Sequence, residues 1–190
     1  MTKSEKSLKI SFIGDNSEEL SHLIDIYVKK NSKDFKEKNK AKIIYTTIKE
    51  TKYELKIYKF TDQDERCVPV LQESQAIFIT FDLSNRKSFD RLYDYWIIWL
   101  RDFCKYEGLI IILGNFTAEN ENNLCANDDE IESIIKVSEV TAKYEKIGTK
   151  RDDEIVELFD GLMKEADEHD MRQEKNEDYH GDSIKNCIIL

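Results

Sequence analysis

Gly14 and Ser21 close the two ends of the stretch G-D-N-S-E-E-L-S, which follows a short apolar run over residues 8–13. This is the layout of a strand running into a phosphate loop and then a helix. In a working G-x-x-x-x-G-K-[ST] loop, glycine lets backbone N–H groups approach the phosphates, lysine neutralises them, and the final hydroxyl holds magnesium. Here Glu19 stands where the second glycine belongs and Leu20 where the lysine belongs. The spacing is kept while the charge is reversed, so the loop is expected to repel a triphosphate. Glu18 or Glu19 is expected to take the free N–H groups of the first helical turn in place of a phosphate.

The elements that must position this loop follow from the apolar period. Leu20, Leu23, Ile24 and Tyr27 recur at helical spacing. Residues 29–40 are polar and lysine-rich, which reads as a loop. Residues 43–48 and 53–60 are strand candidates close enough to form a hairpin. Residues 75–83 and 109–113 are near-continuous apolar runs, the pattern of strands covered on both faces. Between them Phe89, Leu92, Trp96, Trp99, Leu100 and Phe103 mark an amphipathic helix, with both tryptophans expected in the core. Residues 134–140 read as one more strand. Ile155, Leu158, Phe159, Leu162 and Ala166 mark a final helix, after which residues 167–186 mix both charges without a face and read as a solvated tail. Strands alternating with helices imply a three-layer α/β domain with a mostly parallel sheet.

At 190 residues the chain suits one domain, and 40% hydrophobic with 36% charged residues fits a globular protein. A net charge of -10 argues against nucleic acid as the main partner, because affinity for a phosphate backbone comes from clustered Lys and Arg. Cys67, Cys104, Cys125 and Cys187 show no C-x-x-C spacing and no signal-peptide pattern opens the sequence. A reducing cytosolic setting is therefore expected. No run is long and apolar enough to span a bilayer.

The run A-I-F-I-T-F-D-L-S-N-R-K-S-F-D-R-L over residues 76–92 resembles the fourth strand and third helix of Ras-superfamily small GTPases, most closely the Rab branch. Gly14 and Asp15 after the first strand, Gly114 and Asn115 after the fifth, and Thr141, Ala142 and Lys143 after the sixth fall in that family's order. The resemblance covers essentially the whole chain. It implies the P-loop small-GTPase fold, with a six-stranded, mostly parallel sheet containing one antiparallel pair and flanked by helices. Ligand chemistry would lie in loops at the C-terminal ends of the strands. The segment between Asn115 and the sixth strand is short and nearly aperiodic, so the fourth helix is expected to be reduced.

Position by position, the resemblance implies a stripped site. The loop that should supply a magnesium-binding threonine lies near Lys36 and has no Thr or Ser at that spot. The family's D-T-A-G-Q-E motif falls on Lys59, Phe60, Thr61, Asp62, Gln63 and Asp64, so lysine replaces the magnesium-coordinating aspartate. Gln63 keeps the place of the glutamine that orients attacking water. The base-reading N-K-x-D becomes Asn115, Phe116, Thr117 and Ala118. The nucleotide-binding remnants are Gly14, Ser21, Asn115, Thr141, Ala142 and Lys143. Gly14 and residues 141–143 have an equally plain reading as structural residues. Each lost charge-assisted hydrogen bond costs roughly 1.5–3 kcal/mol, so losses across phosphate, metal and base subsites remove several powers of ten in affinity.

The terminal Cys-Ile-Ile-Leu forms a C-a-a-X box of the geranylgeranyl type, with Cys187 as the lipidated residue. Glu168, Asp170, Glu174, Glu177, Asp178 and Asp182 precede it, so anionic lipid would repel the tail, and one lipid chain alone anchors reversibly.

These expectations combine into a small GTPase-like domain over residues 1–166 and a hypervariable tail over 167–190. The function they imply is that of a prenylated pseudo-GTPase adaptor in vesicle trafficking, with no metal and no cofactor. It would sit on the cytoplasmic face of membranes with a soluble cytosolic pool, and its partners would be the membrane, an effector and a prenyl-binding chaperone. The alternative is a divergent working GTPase that uses GTP or GDP with magnesium through Gly14, Ser21, Asn115 and Lys143. A third option is a structural subunit of a larger assembly.

Overall fold

Two continuous apolar runs form the most deeply buried strands of the sheet. Strands β5 (Ala76–Asp82) and β6 (Leu109–Asn115) are buried along both faces, as expected for strands with helices above and below. The computed structural model describes residues 5–32, 35–148 and 150–185. Beside this pair it places β1 (Lys6–Gly14), β2 (Lys36–Lys38), β3 (Ala41–Ile48), β4 (Thr51–Phe60) and β7 (Ala142–Lys146). The seven strands lie in the order β2-β3-β4-β1-β5-β6-β7. β4, β1, β5, β6 and β7 run parallel, while β2–β3 and β3–β4 are antiparallel.

Helices α1 (Ser17–Asn31), α2 (Val68–Gln72), α3 (Arg86–Arg91), α4 (Asp128–Ser138) and α5 (Asp152–Lys185) flank the sheet. Alternation along the strands sends neighbouring residues to opposite faces. Phe12 and Phe78 stack at 4.7 Å and meet Phe159 of α5 on one face, with Leu20 and Tyr27 of α1 in the same cluster. Ile13, Ile77 and Ile79 face the other way, toward Trp96, Leu100 and Ile131. Beyond α3 the helix widens into π turns over Leu92–Ile97 and Trp99–Phe103, and the Cys104 N–H donates to the Trp99 carbonyl five residues back. Trp96 and Trp99 are buried, as the period implied.

Several sequence expectations need correction. The sheet has seven strands rather than six and two antiparallel pairs rather than one, because part of the lysine-rich stretch 29–40 pairs as β2. The rest of that stretch begins as the last turn of α1. Residues 134–140 are not a strand. Ile131, Ile134 and Ile135 share a helical face against the core, and α4 has three full turns instead of being reduced. The final helix does not stop where its apolar period lapses. Asp167 pairs with Lys6 at 2.6 Å and accepts the Tyr53 hydroxyl at 2.9 Å, which holds α5 across that point, and the helix continues to Lys185. No described helix is long and apolar enough to cross a membrane.

Candidate functional site

The parallel strands bring Gly14, Lys59, Asp82, Asn115 and Ile147 to one end of the sheet, with Gly14 beside Thr80 and Asp82 beside Asn115 in register. Gly14 is required there by close approach. A Cβ at this position would lie 2.5 Å from Thr80 Oγ1 and 2.7 Å from the Thr80 carbonyl oxygen. The next residue ties the loop to the π-wound segment: Asp15 accepts the indole N–H of Trp96 at 3.0 Å and the Arg91 Nε–H at 2.8 Å.

Asn16 caps α1. Its side-chain oxygen accepts the N–H groups of Glu18 and Glu19, each at 3.1 Å, so the donors expected to meet a glutamate meet Asn16 instead. That overturns the role expected of Glu18 or Glu19. Asn16 was visible in the sequence as the head of N-x-x-E before an apolar run, a helix-start signature. Leu20, which the phosphate-loop spacing sets at the lysine position, is fully buried in one cluster with Leu23, Tyr27 and Phe159.

Glu19 turns away from the cap toward the sheet end. Burial raises its carboxyl above the ordinary value, the Asn115 side chain opposes that shift, and the neighbouring Asp82 adds to it. Its Oε1 is buried without a hydrogen-bond partner. Asp82 itself accepts the Ser84 N–H at 2.8 Å and the Ser84 hydroxyl at 2.6 Å.

Ser21 and Lys59 meet directly. The Lys59 ammonium donates to Ser21 Oγ at 2.7 Å, so a cation on a side chain stands beside the hydroxyl that the resemblance assigns to magnesium. Gln63 is drawn elsewhere, its Nε2 donating to the Tyr95 carbonyl at 2.6 Å.

The opposite side of the site is filled with hydrocarbon. Gly148 has φ +26°, and a Cβ there would lie 2.0 Å from the Phe116 ring. Phe116, which the resemblance sets at the position of a base-reading lysine, is buried. Gly114 is hemmed in by Leu83 and by the Tyr144 hydroxyl.

Thr141, Ala142 and Lys143 do not join Gly14, Ser21 and Asn115. Ala142 and Lys143 lie in the first turn of pleat of β7, in register with Ile110 and Ile111 near the start of β6. Thr141 accepts the Ile110 N–H there, at the far end of the sheet from Asn115. Lys143 binds Glu165 at 3.0 Å and Glu145 at 3.3 Å. Residues 141–143 belong to the start of a strand and not to the loop after it, because β7 is a polar strand with no apolar run to mark it. Cys187 lies outside the described residues.

An ammonium lies on the Ser21 hydroxyl, a half-buried carboxyl with one buried orphan oxygen sits at the first turn, and Phe116 fills the space over Gly148. Among the described residues no three His, Cys, Asp or Glu side chains converge to hold a metal. Nor are the three thiols of the described residues poised for chemistry: burial pushes Cys104 up to about 12 and raises Cys67 and Cys125. Compared with known protein families and with curated proteins, the chain shows no match.

Proposed function

We propose that the chain is a Rab-like pseudo-GTPase with the P-loop small-GTPase fold, acting as a prenylated adaptor in membrane trafficking. The observation that carries this reading is the 2.7 Å contact of Lys59 with Ser21. Where the resemblance calls for an aspartate and a hydroxyl sharing a divalent cation, this chain supplies the cation from its own side chain. Leu20 in the core and Phe116 on Gly148 support the same conclusion for the phosphate and base subsites. A scaffold that needs no nucleotide to complete its core is free to present its surfaces to partners in a single state. Cys187 in the terminal Cys-Ile-Ile-Leu gives it a membrane anchor, which the acidic residues before it weaken.

Denaturing extraction of the protein as expressed, followed by chromatography of the supernatant, tests the nucleotide part. No guanine nucleotide is expected, and a stoichiometric GDP peak overturns the reading in favour of a working GTPase. Fractionation of the full chain and its Cys187→Ser variant tests the anchor. Loss of the membrane pool is expected, and a variant that still pellets with membranes shows that a protein contact sets its location.

A further inference from the structure

We propose that the cleft between α1, the β2–β3 hairpin and the end of β4 binds a phosphate monoester carrying a small apolar body. The cleft has a volume of about 450 Å³, within the range of small-molecule sites. Its floor is apolar: Ile24, Ala41 and Ile57 are each no more than 3% exposed. Its walls carry Lys38, Lys40, Lys42 and Lys59 against a single lining carboxylate, Glu37. This is a local reversal of the chain's charge. Residues 29–59 hold eleven lysines and four acidic residues in a protein of net charge -10.

The four ammonium groups are not equally committed. Lys42 pairs with Asp25 and Lys59 donates to Ser21. The Lys38 ammonium makes no hydrogen bond or ion pair among the described residues. Lys40 lies near Asp64, but that carboxylate is held low first by Arg66, which pairs with it at 2.7 Å. The hairpin turn that presents Lys40 has φ +51° at Asn39 and φ +66° at Lys40, the two left-handed positions of a turn that favours Asn followed by Gly. A lysine therefore occupies a backbone position at the cleft that glycine would fill with less strain.

Lysine binds oxyanions as a point charge, and a phosphate monoester offers a charge near -2 with three acceptor oxygens. A single carboxylate would leave the cluster over-positive, and a free inorganic anion would leave the apolar floor in water. The monoester headgroup with an apolar body satisfies both. A phospholipid headgroup and a soluble metabolite share this chemistry. The proposal and its test involve no nucleotide, so their outcome is separate from that of the extraction above.

Titration calorimetry of the full chain with phenyl phosphate, inorganic phosphate and benzyl alcohol tests it. Phenyl phosphate is expected to bind about tenfold or more tightly than either fragment, and less tightly as salt rises. Lys40→Gly should weaken it by roughly tenfold while the melting temperature holds or rises, because the glycine relieves the left-handed turn. Adding Lys38→Gln should abolish binding. Undetectable binding at several millimolar, equal binding of inorganic and phenyl phosphate, or an unchanged affinity in the double variant each overturns the proposal. Flotation with phosphatidic acid vesicles, against phosphatidylcholine vesicles, separates the two sources. Capture displaced by phenyl phosphate assigns the site to a headgroup, absence of capture assigns it to a soluble monoester, and capture that phenyl phosphate leaves intact overturns the headgroup source.

Discussion

Helices α1 and α4 begin with the same four-residue signature and use it differently. In α4, Asn127 accepts the Glu130 N–H and the Glu130 carboxylate accepts the Asn127 N–H, both at 2.9 Å, a complete capping box. In α1, Asn16 accepts the N–H groups of Glu18 and Glu19, but the Glu19 side chain does not return the bond. It crosses to Asn115 and Asp82 at the ends of β6 and β5, where burial raises its carboxyl and Oε1 goes without a partner. A glutamate in a solvated first turn has a satisfying partner one helical turn away. That Glu19 forgoes it means that the sheet end, and not the helix, sets its position. Departures from local chemistry of this kind concentrate at sites that a fold keeps for something other than stability.

The sharpest way to break the comparison is to disturb what holds Asn115 in Glu19's reach. Phe116 follows Asn115 directly, and its ring lies 2.0 Å from where a Cβ on Gly148 would stand, with Gly148 also at φ +26°. Gly148→Ala must displace that ring or shift the loop, and overpacking of this sort costs about 2–3 kcal/mol. Urea denaturation should show the loss in the midpoint. If the midpoint is unchanged, Phe116 does not close this side of the site.

The two caps themselves come next. Asn127→Ala removes the acceptor of one N–H and leaves the backbone N–H that the Glu130 carboxylate accepts, so it should cost about 0.5–1 kcal/mol, whereas Asn16→Ala removes the acceptor of two N–H groups and should cost about 1–2 kcal/mol. Thermal melts of the two variants check the order. A larger loss at Asn127 would mean that its side chain supports more than the Glu130 N–H it accepts.

The same two helices show how much was legible from sequence. The apolar runs at β1, β5 and β6 and the hairpin of β3 and β4 were plain, because burial on one or both faces writes itself as period or as continuity. α4 was not. Its core contacts come from Ile131, Ile134 and Ile135, but Val137 and Val140 break the period and a run of asparagines and acids precedes it. The N-x-x-E before Ile131 was the missing clue. β7 was hidden because all five of its residues are only half-buried, so residues 141–143 passed for the loop beyond it. At the site, Gly14, Ser21 and Asn115 do come to one sheet end. The bond between the Trp96 indole N–H and Asp15 is not legible in the sequence, because the two residues are 81 positions apart.

The smallest effect is the most informative, since its sign should differ between the two helices. Glu130→Gln keeps a side chain that can close the box but removes a negative charge from the first turn of α4, which should cost a few tenths of a kcal/mol. Glu19→Gln removes a charge that burial and Asp82 disfavour, while leaving an amide that can face Asn115. At neutral pH it should raise the melting temperature by roughly 2–4 °C, the shift that about 1 kcal/mol makes in a domain of this size. The pH dependence follows from the raised carboxyl. A folded state that holds the proton more tightly than the unfolded chain is favoured below the unfolded value near 4.5, and the advantage fades as pH rises through the folded value. The parent protein and Glu19→Gln should therefore melt together in acid and separate with the variant higher as pH is raised toward neutrality. Scanning calorimetry from pH 4 to 8 decides it. A variant that melts lower than the parent at neutral pH would show that the Glu19 carboxylate is held there by favourable contacts, and the contrast between α1 and α4 would then be one of partner and not of satisfaction.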